Sequence, residues 1–133
     1  MNAVDTNVLI DACDGRDPLK QERALALVGS LDSSVLLWQV ACEFVAASRK
    51  LAGQGFTPVA AWNRLAEFAA LMPIVAPTPN ALQLAKAIHV DRGVSFWDSV
   101  LLGACLDAGV RRLHSEDVPG GRIEGIEVVN PFA

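Results

Sequence analysis

Short apolar runs alternating with helical stretches predict an α/β chain, a three-layer α/β/α arrangement with a central parallel sheet. Two observations carry the prediction. Runs of strand length, Ala3-Val4, Val35-Leu36-Leu37, Val110 to His114 and Ile126 to Val129, are separated by segments of helical period. Asp17-Pro18, Thr57-Pro58 and Thr78-Pro79 also repeat one helix-starting device, a capping residue followed by proline at the first helical position. At 133 residues the chain is long enough to bury a real core and too short for two, so residues 1–133 are expected to form a single domain.

Taken in order, Ala3-Val4 is a buried strand stopped by Asp5, and Thr6 or Asn7 can cap the helix that follows. Asp17-Pro18 opens a helix to about Ser30, with Leu19, Arg23, Leu27 and Leu31 at helical spacing. Ser33-Ser34 is a turn, Val35 to Leu37 a strand, and Gln39 to Lys50 a helix ending near the Gly53-Gln54-Gly55 break. From Thr57-Pro58 a helix runs through Trp62, Leu65 and Phe68 to about Leu71, where Pro73 ends it. Ile74-Val75 forms a brief strand. Thr78-Pro79 starts a helix to Asp91 or Arg92, closed by Gly93. Ser95 begins an almost wholly apolar, buried helix that stops at Gly109. Val110 to His114 is a strand, Pro119-Gly120-Gly121 a turn, and Ile126 to Val129 the last strand.

Bulk composition narrows the function. Fifteen acids against eleven bases give a formal charge of −4, the wrong sign for holding nucleic acid by bulk electrostatics. A phosphate-bearing substrate must therefore be admitted by cations or by a local basic cluster, for which Arg49, Lys50, Arg111, Arg112 and Arg122 are candidates. No apolar stretch reaches membrane-spanning length, and no leader-like segment opens the sequence, so a soluble cytoplasmic protein without a membrane partner is expected. Cys13, Cys42 and Cys105 lie far apart in apolar helical runs, as buried thiols in a reducing compartment would.

The acids carry the chemistry. Asp5 ends the first strand, on the sheet edge where α/β folds bind ligands. Glu43 lies one turn into the helix after the second strand, amid Val40, Ala41, Cys42, Phe44 and Val45. Asp98 lies in the first turn of the helix begun by Ser95, and Asp117 follows the strand ending near His114. Each has a plainer reading: Asp5 as a helix cap, Glu43 as an exposed helix acid, Asp98 as half of a capping box with Ser95, Asp117 as a loop acid. Jointly, however, all four face one sheet edge. Four like charges in one cleft repel unless protons or cations neutralise them. Hard oxygen donors without histidine or thiolate suit Mg²⁺ or Mn²⁺. Paired ions about 3.5–4 Å apart can polarise a phosphodiester and activate water.

These residues resemble those of the PIN-domain ribonucleases, in particular the VapC-type toxins of toxin–antitoxin pairs. The resemblance rests on Val4-Asp5-Thr6-Asn7-Val8-Leu9-Ile10, Gln39-Val40-Ala41-Cys42-Glu43-Phe44, Ser95-Phe96-Trp97-Asp98-Ser99, Leu113-His114-Ser115-Glu116-Asp117-Val118 and a tail from Ile123 to Phe132. It implies a PIN-like parallel sheet between helices and Mg²⁺- or Mn²⁺-dependent cleavage of RNA to a 5′-phosphate and a 3′-hydroxyl. By position it implies that Asp5, Glu43, Asp98 and Asp117 carry the metal ions, with Asn7 and Ser115 orienting ligands or waters behind them. Glu116 ranks below Asp117. A homodimer and a cognate antitoxin protein obstructing the acidic cleft are implied as well. Two departures are mild: Trp38 stands where Ser or Thr would cap the Glu43 helix, and the Pro119-Gly120-Gly121 turn is unusual.

Other residues carry weaker cases. His114 and His89 are not needed where metal activates water. Trp97 and Trp38, flanked by apolar sequence, are assigned to core packing in preference to base stacking, and Trp62 and Phe68 to a core or dimer stripe. A haloacid-dehalogenase-type phosphatase requires an aspartate where Asn7 stands. A receiver domain requires a late lysine, and the only lysines are Lys20, Lys50 and Lys86. A PIN-like module that grips RNA or protein without cutting would be expected to lack one of the four acids, and none is missing.

Overall fold

The computed structural model covers residues 1–133 and has α/β architecture. The strands are β1 (Asn2–Val4), β2 (Leu36–Leu37), β3 (Ile74–Val75), β4 (Arg112–His114), β5 (Gly121–Ile123) and β6 (Ile126–Val129). The helices are α1 (Thr6–Cys13), α2 (Pro18–Ser30), α3 (Trp38–Ala47), α4 (Pro58–Leu71), α5 (Asn80–Arg92) and α6 (Phe96–Asp107). Strand order is β1-β4-β6-β5, and β2 and β3 pair separately. All of these pairs are parallel except β5–β6. A bridge between Asn2 and Ser34 connects the β2 side to β1.

Burial explains the layering. Successive strand residues point to opposite faces, yet Ala3 and Val4, Leu36 and Leu37, and Leu113 and His114 are all buried. Both faces of those strands are therefore covered, as a parallel sheet between helices requires. On β6 the pattern changes to buried Ile126 and Val128 alternating with half-buried Glu127 and Val129, so the sheet loses cover on one face toward its β5 edge. A continuous apolar core joins β1, β4 and β6 to the helices through Leu9, Phe44, Ile88, Leu102 and Ile126. No helix is long and apolar enough to cross a membrane.

Several sequence expectations need correction. Asp5 itself caps α1, accepting from the Thr6 amide at 2.7 Å, so neither Thr6 nor Asn7 is the cap. The helix expected to reach Lys50 ends as α-helix at Ala47 and tightens into a 3₁₀ segment, Ser48–Gln54, closed by left-handed Gly55. Its start at Trp38 has no side-chain cap. Thr78 caps nothing: its amide and hydroxyl both donate to Asp107, at 2.7 and 2.6 Å, tying the start of α5 to the end of α6. The Gly120-Gly121 turn leads directly into an extra strand, β5, whose antiparallel pairing with β6 the short polar Gly121-Arg122-Ile123 run did not announce. Trp38 and Trp97 are not core residues but more than half exposed, and Trp62 is exposed while Phe68 is buried. Of the three thiols only Cys105 is fully buried, and Cys42 is exposed.

Two features give stability tests. Helices α5 and α6 approach backbone to backbone at Gly103, where an added Cβ would lie 2.6 Å from the Ala81 carbonyl oxygen. Gly103→Ala is expected to destabilise the fold by about 1–3 kcal/mol in urea denaturation, although alanine is the better helix former. His114, buried on β4 with Nε2 3.2 Å from Asn2 Oδ1, has its pKa lowered chiefly by burial and then by Arg112. The unfolded chain thus takes up this proton at higher pH than the folded one. Stability should fall as pH drops below about 6.5, and the slope of melting temperature against pH there should flatten in His114→Gln.

Candidate active site

The site grows from the ends of two neighbouring parallel strands. Asp5 leaves β1 and Ser115 leaves β4, each still held in the sheet: the Asp5 amide donates to the His114 carbonyl and the Ser115 amide to that of Val129. Their side chains then meet, the Ser115 hydroxyl donating to Asp5 Oδ2 at 2.8 Å. The same Oγ accepts from the amides of Asp117 and Val118, both at 3.1 Å. It folds the loop back so that Asp117 faces Asp5. Asn7, on the first turn of α1, bridges the two acids: its Nδ2 lies 3.3 Å from Asp5 Oδ2 and 3.2 Å from Asp117 Oδ2. It lies 3.4 Å from Ser115 Oγ as well.

Glu43 joins from α3. Its carboxylate accepts from Thr6 Oγ1 at 2.9 Å and from Gln39 Nε2 at 2.8 Å, so one turn of α3 and the start of α1 hold it over the cleft. Asp5 is nearly buried, and its pKa is raised. Burial is the main cause, and the charges of Glu43 and Asp117 push it further up against the bonds from Ser115 and Thr6. In front of these groups lies an open cleft of about 490 Å³ lined by Thr6, Asn7, Asp11, Glu43, Arg49 and Asp117 among others. Lys50 stands at the same rim.

Asp98 is placed differently. Helix α6 leads back toward the start of β4, so its first turn lies on the carboxyl edge of the sheet with the other acids. The capping box with Ser95 does not form, because Ser95 makes no side-chain cap bond. No bond ties Asp98 to Asp5, Glu43 or Asp117 either, and no three His, Cys, Asp or Glu side chains in the chain stand close enough to hold one ion among them. The expected convergence of four acids is thus a linked trio with a fourth on the same edge. Neither histidine enters the cleft: His114 is bonded to Asn2, and His89 Nδ1 lies 2.8 Å from the Val94 carbonyl oxygen.

The structure adds residues that the sequence reading left without a role. Asp11, one turn after Asn7 on α1, lines the same cleft, and its Oδ2 is buried without a hydrogen bond. Burial raises its pKa, offset in part by Lys20. Lys20 on α2 lies 3.7 Å from Asp11 Oδ2 and 2.7 Å from Glu116 Oε1, with its ammonium over the Phe132 ring. It anchors the loop bearing Asp117 from behind. The i, i+4 spacing from Asn7 to Asp11 was the available signal, since such residues share a helix face. The lysine had none, being distant in sequence from both partners.

The donor set suits a hard cation. Every acidic group is a carboxylate, negative charge is in excess, and Mg²⁺ keeps several waters and needs only one or two protein carboxylates. Asp5 and Asp117, already facing each other across Asn7, meet that requirement; a three-carboxylate cage is not formed. Beside the cleft, a larger apolar groove of about 540 Å³ shares Glu43 and is walled by Trp38, Cys42, Val75, Leu82 and Trp97.

Among solved structures, the chain is similar to FitAcB from Neisseria gonorrhoeae, with a TM-score of 0.72 at 17% identity over 99% of both chains. It is similar over 98% of both chains to a toxin–antitoxin complex from Klebsiella pneumoniae (TM-score 0.69, 18% identity). It also resembles VapC20 of Mycobacterium tuberculosis, described as a sarcin–ricin loop cleaving toxin (TM-score 0.65, 18% identity, 88% of this chain and 90% of that one). The fold is therefore the PIN-like fold of these proteins. No protein-family model matches the sequence, and no curated protein does.

Ser115→Ala tests the hub. It strips a buried carboxylate of a donor and two amides of their acceptor, and should cost about 1–3 kcal/mol in urea denaturation. Asp5, followed by carbon-detected NMR titration, should then titrate at still higher pH, because a bond that favours its charged form is gone.

Proposed function

We propose that this chain is a metal-dependent endoribonuclease of the VapC type, a single PIN domain that acts as the toxin of a toxin–antitoxin pair. The observation that carries the reading is the pairing of Asp5 with Asp117 through Asn7 and Ser115, at the carboxyl edge of a PIN-like sheet, with Glu43 drawn in by Thr6. The fold shared with a sarcin–ricin loop cleaving toxin and with a toxin–antitoxin complex supports it.

In this reading Asp5 and Asp117 would hold Mg²⁺ or Mn²⁺, with Glu43 joining from the cleft wall and Asp98 from the first turn of α6. When bound, the ion neutralises the carboxylates, polarises the phosphodiester and lowers the pKa of attacking water. The chain supplies the rest. Asn7 and Ser115 fix the orientation of the two aspartates, Thr6 and Gln39 fix Glu43, and Lys20 holds the 115–117 loop through Glu116. Arg49 and Lys50 at the rim meet phosphates on either side of the bond to be cut. The partners are an RNA substrate, an antitoxin protein that blocks the cleft, and a second copy of the chain in a homodimer. A non-cleaving module that binds RNA or protein is the second reading, favoured by the separation of Asp98 from the trio.

The two readings part on one experiment. Purified chain should cut RNA only with Mg²⁺ or Mn²⁺, leaving 5′-phosphates, and Asp5→Ala should reduce cleavage by at least about 10²-fold. Millimolar metal should raise the melting temperature of the native chain, and by less in Asp5→Asn. RNA binding without metal-dependent cleavage would select the second reading.

A further inference from the structure

The five basic residues singled out in the sequence divide into two groups. Arg49 and Lys50 border the carboxylate cleft, whereas Arg111, Arg112 and Arg122 meet in a separate cleft of about 420 Å³ with Asn2, Gly125 and Glu127. The sheet register builds it. Asn2 pairs with Arg112, Arg112 with Glu127, and Glu127 with Arg122, so four side chains form one row across β1, β4, β6 and β5 on the same face. Glu127 lies between two guanidinium groups, 3.2 Å from Arg112 and 4.0 Å from Arg122. A single carboxylate cannot neutralise both. Arg111 adds a third guanidinium that has no acidic partner, and Gly125 leaves space beside its Nη1, where a Cβ would lie 3.7 Å away.

Three cations against one anion make this a concentrated positive cleft on a chain of net charge −4. Its position matters equally. The row lies at the amino ends of the parallel strands, three residues before Asp5 on β1 and before Ser115 on β4, or about 10 Å away along the strands. It is also on the region of the sheet whose face is incompletely covered by helices. Guanidinium groups spaced along a strand row match the phosphates of an extended nucleic-acid backbone better than one small anion does, because planar forks bind phosphate oxygens in pairs.

We propose that the Arg111–Arg112–Arg122 cleft binds the phosphate backbone of an RNA strand at a site apart from the carboxylates, anchoring the part of the substrate that lies beyond the cut. This rests on the ribonuclease reading for the choice of RNA, and on the sheet row alone for the binding of phosphate.

The test compares the native chain with an Arg111→Ala/Arg122→Ala double variant, both side chains being exposed, and with Glu127→Gln. Binding of a fluorescent single-stranded 20-nucleotide RNA is followed by anisotropy in chelator from about 50 to 200 mM salt, where no metal-dependent cutting occurs. The double variant should bind on the order of tenfold more weakly, with a salt slope shallower by about 1.4, the value for two lost phosphate contacts on a single strand. Glu127→Gln should bind more tightly. With metal present, cleavage of a trinucleotide should be unchanged in the double variant while KM for long RNA rises. Equal affinity and slope in wild type and double variant would overturn the proposal even if wild type cuts RNA. Absence of wild-type cleavage would instead overturn the ribonuclease reading and leave the binding result standing. Arginine-dependent binding of inorganic pyrophosphate without binding of the strand would replace RNA by a free phosphate and also overturn the proposal.

Discussion

Everything at the carboxyl edge depends on one buried hydrogen bond, from the Ser115 hydroxyl to Asp5 Oδ2. It joins the ends of two strands that are distant in sequence and adjacent in the sheet. Because the same oxygen accepts from the amides of Asp117 and Val118, the position of the second acid follows from the first. A serine here acts as a hinge pin: it is small enough to be buried, and it donates once while accepting more than once. An alanine would pack equally well, leave two amides without an acceptor and take one donor from Asp5.

The remaining architecture manages charge. Burial and the neighbouring acids oppose ionisation of Asp5, and backbone and side-chain donors oppose that in turn. Lys20 offsets the burial of Asp11 in the same way and is itself paired with Glu116. The acids are therefore held together at some cost to the fold, a cost that a bound cation would remove. Strained electrostatics of this kind are common where a protein has a chemical task. The apolar groove beside Glu43 has the opposite character, with its tryptophans left in water.

Much of the fold was legible because local signals agreed. Asp17-Pro18 and Thr57-Pro58 start helices as their capping chemistry predicts, and buried pairs such as Leu36-Leu37 announce strands covered on both faces. The errors have a common origin in tertiary partners. Thr78 had the right sequence for a cap, but Asp107 of another helix took both its donors. Trp38 follows the buried Leu36-Leu37 pair and Trp97 lies beside an exposed Phe96, and both helical positions face outward. At the site, Asp5, Asn7, Ser115 and Asp117 come together as the strand ends foretold, since parallel neighbours deliver their loops to one edge. Asp98 could be placed on that edge but not against its partners, because helix rotation is set by packing. Asp11 and Lys20 were invisible as a pair for the same reason.

The double duty of Asp5 has an evolutionary consequence. The residue is both an acid of the carboxyl-edge cluster and the cap of α1, and asparagine serves as well as aspartate in the second task. A single base change in that codon would silence the acid while leaving the helix start intact. Descendants that keep the scaffold and lose this carboxylate are thus one mutational step away.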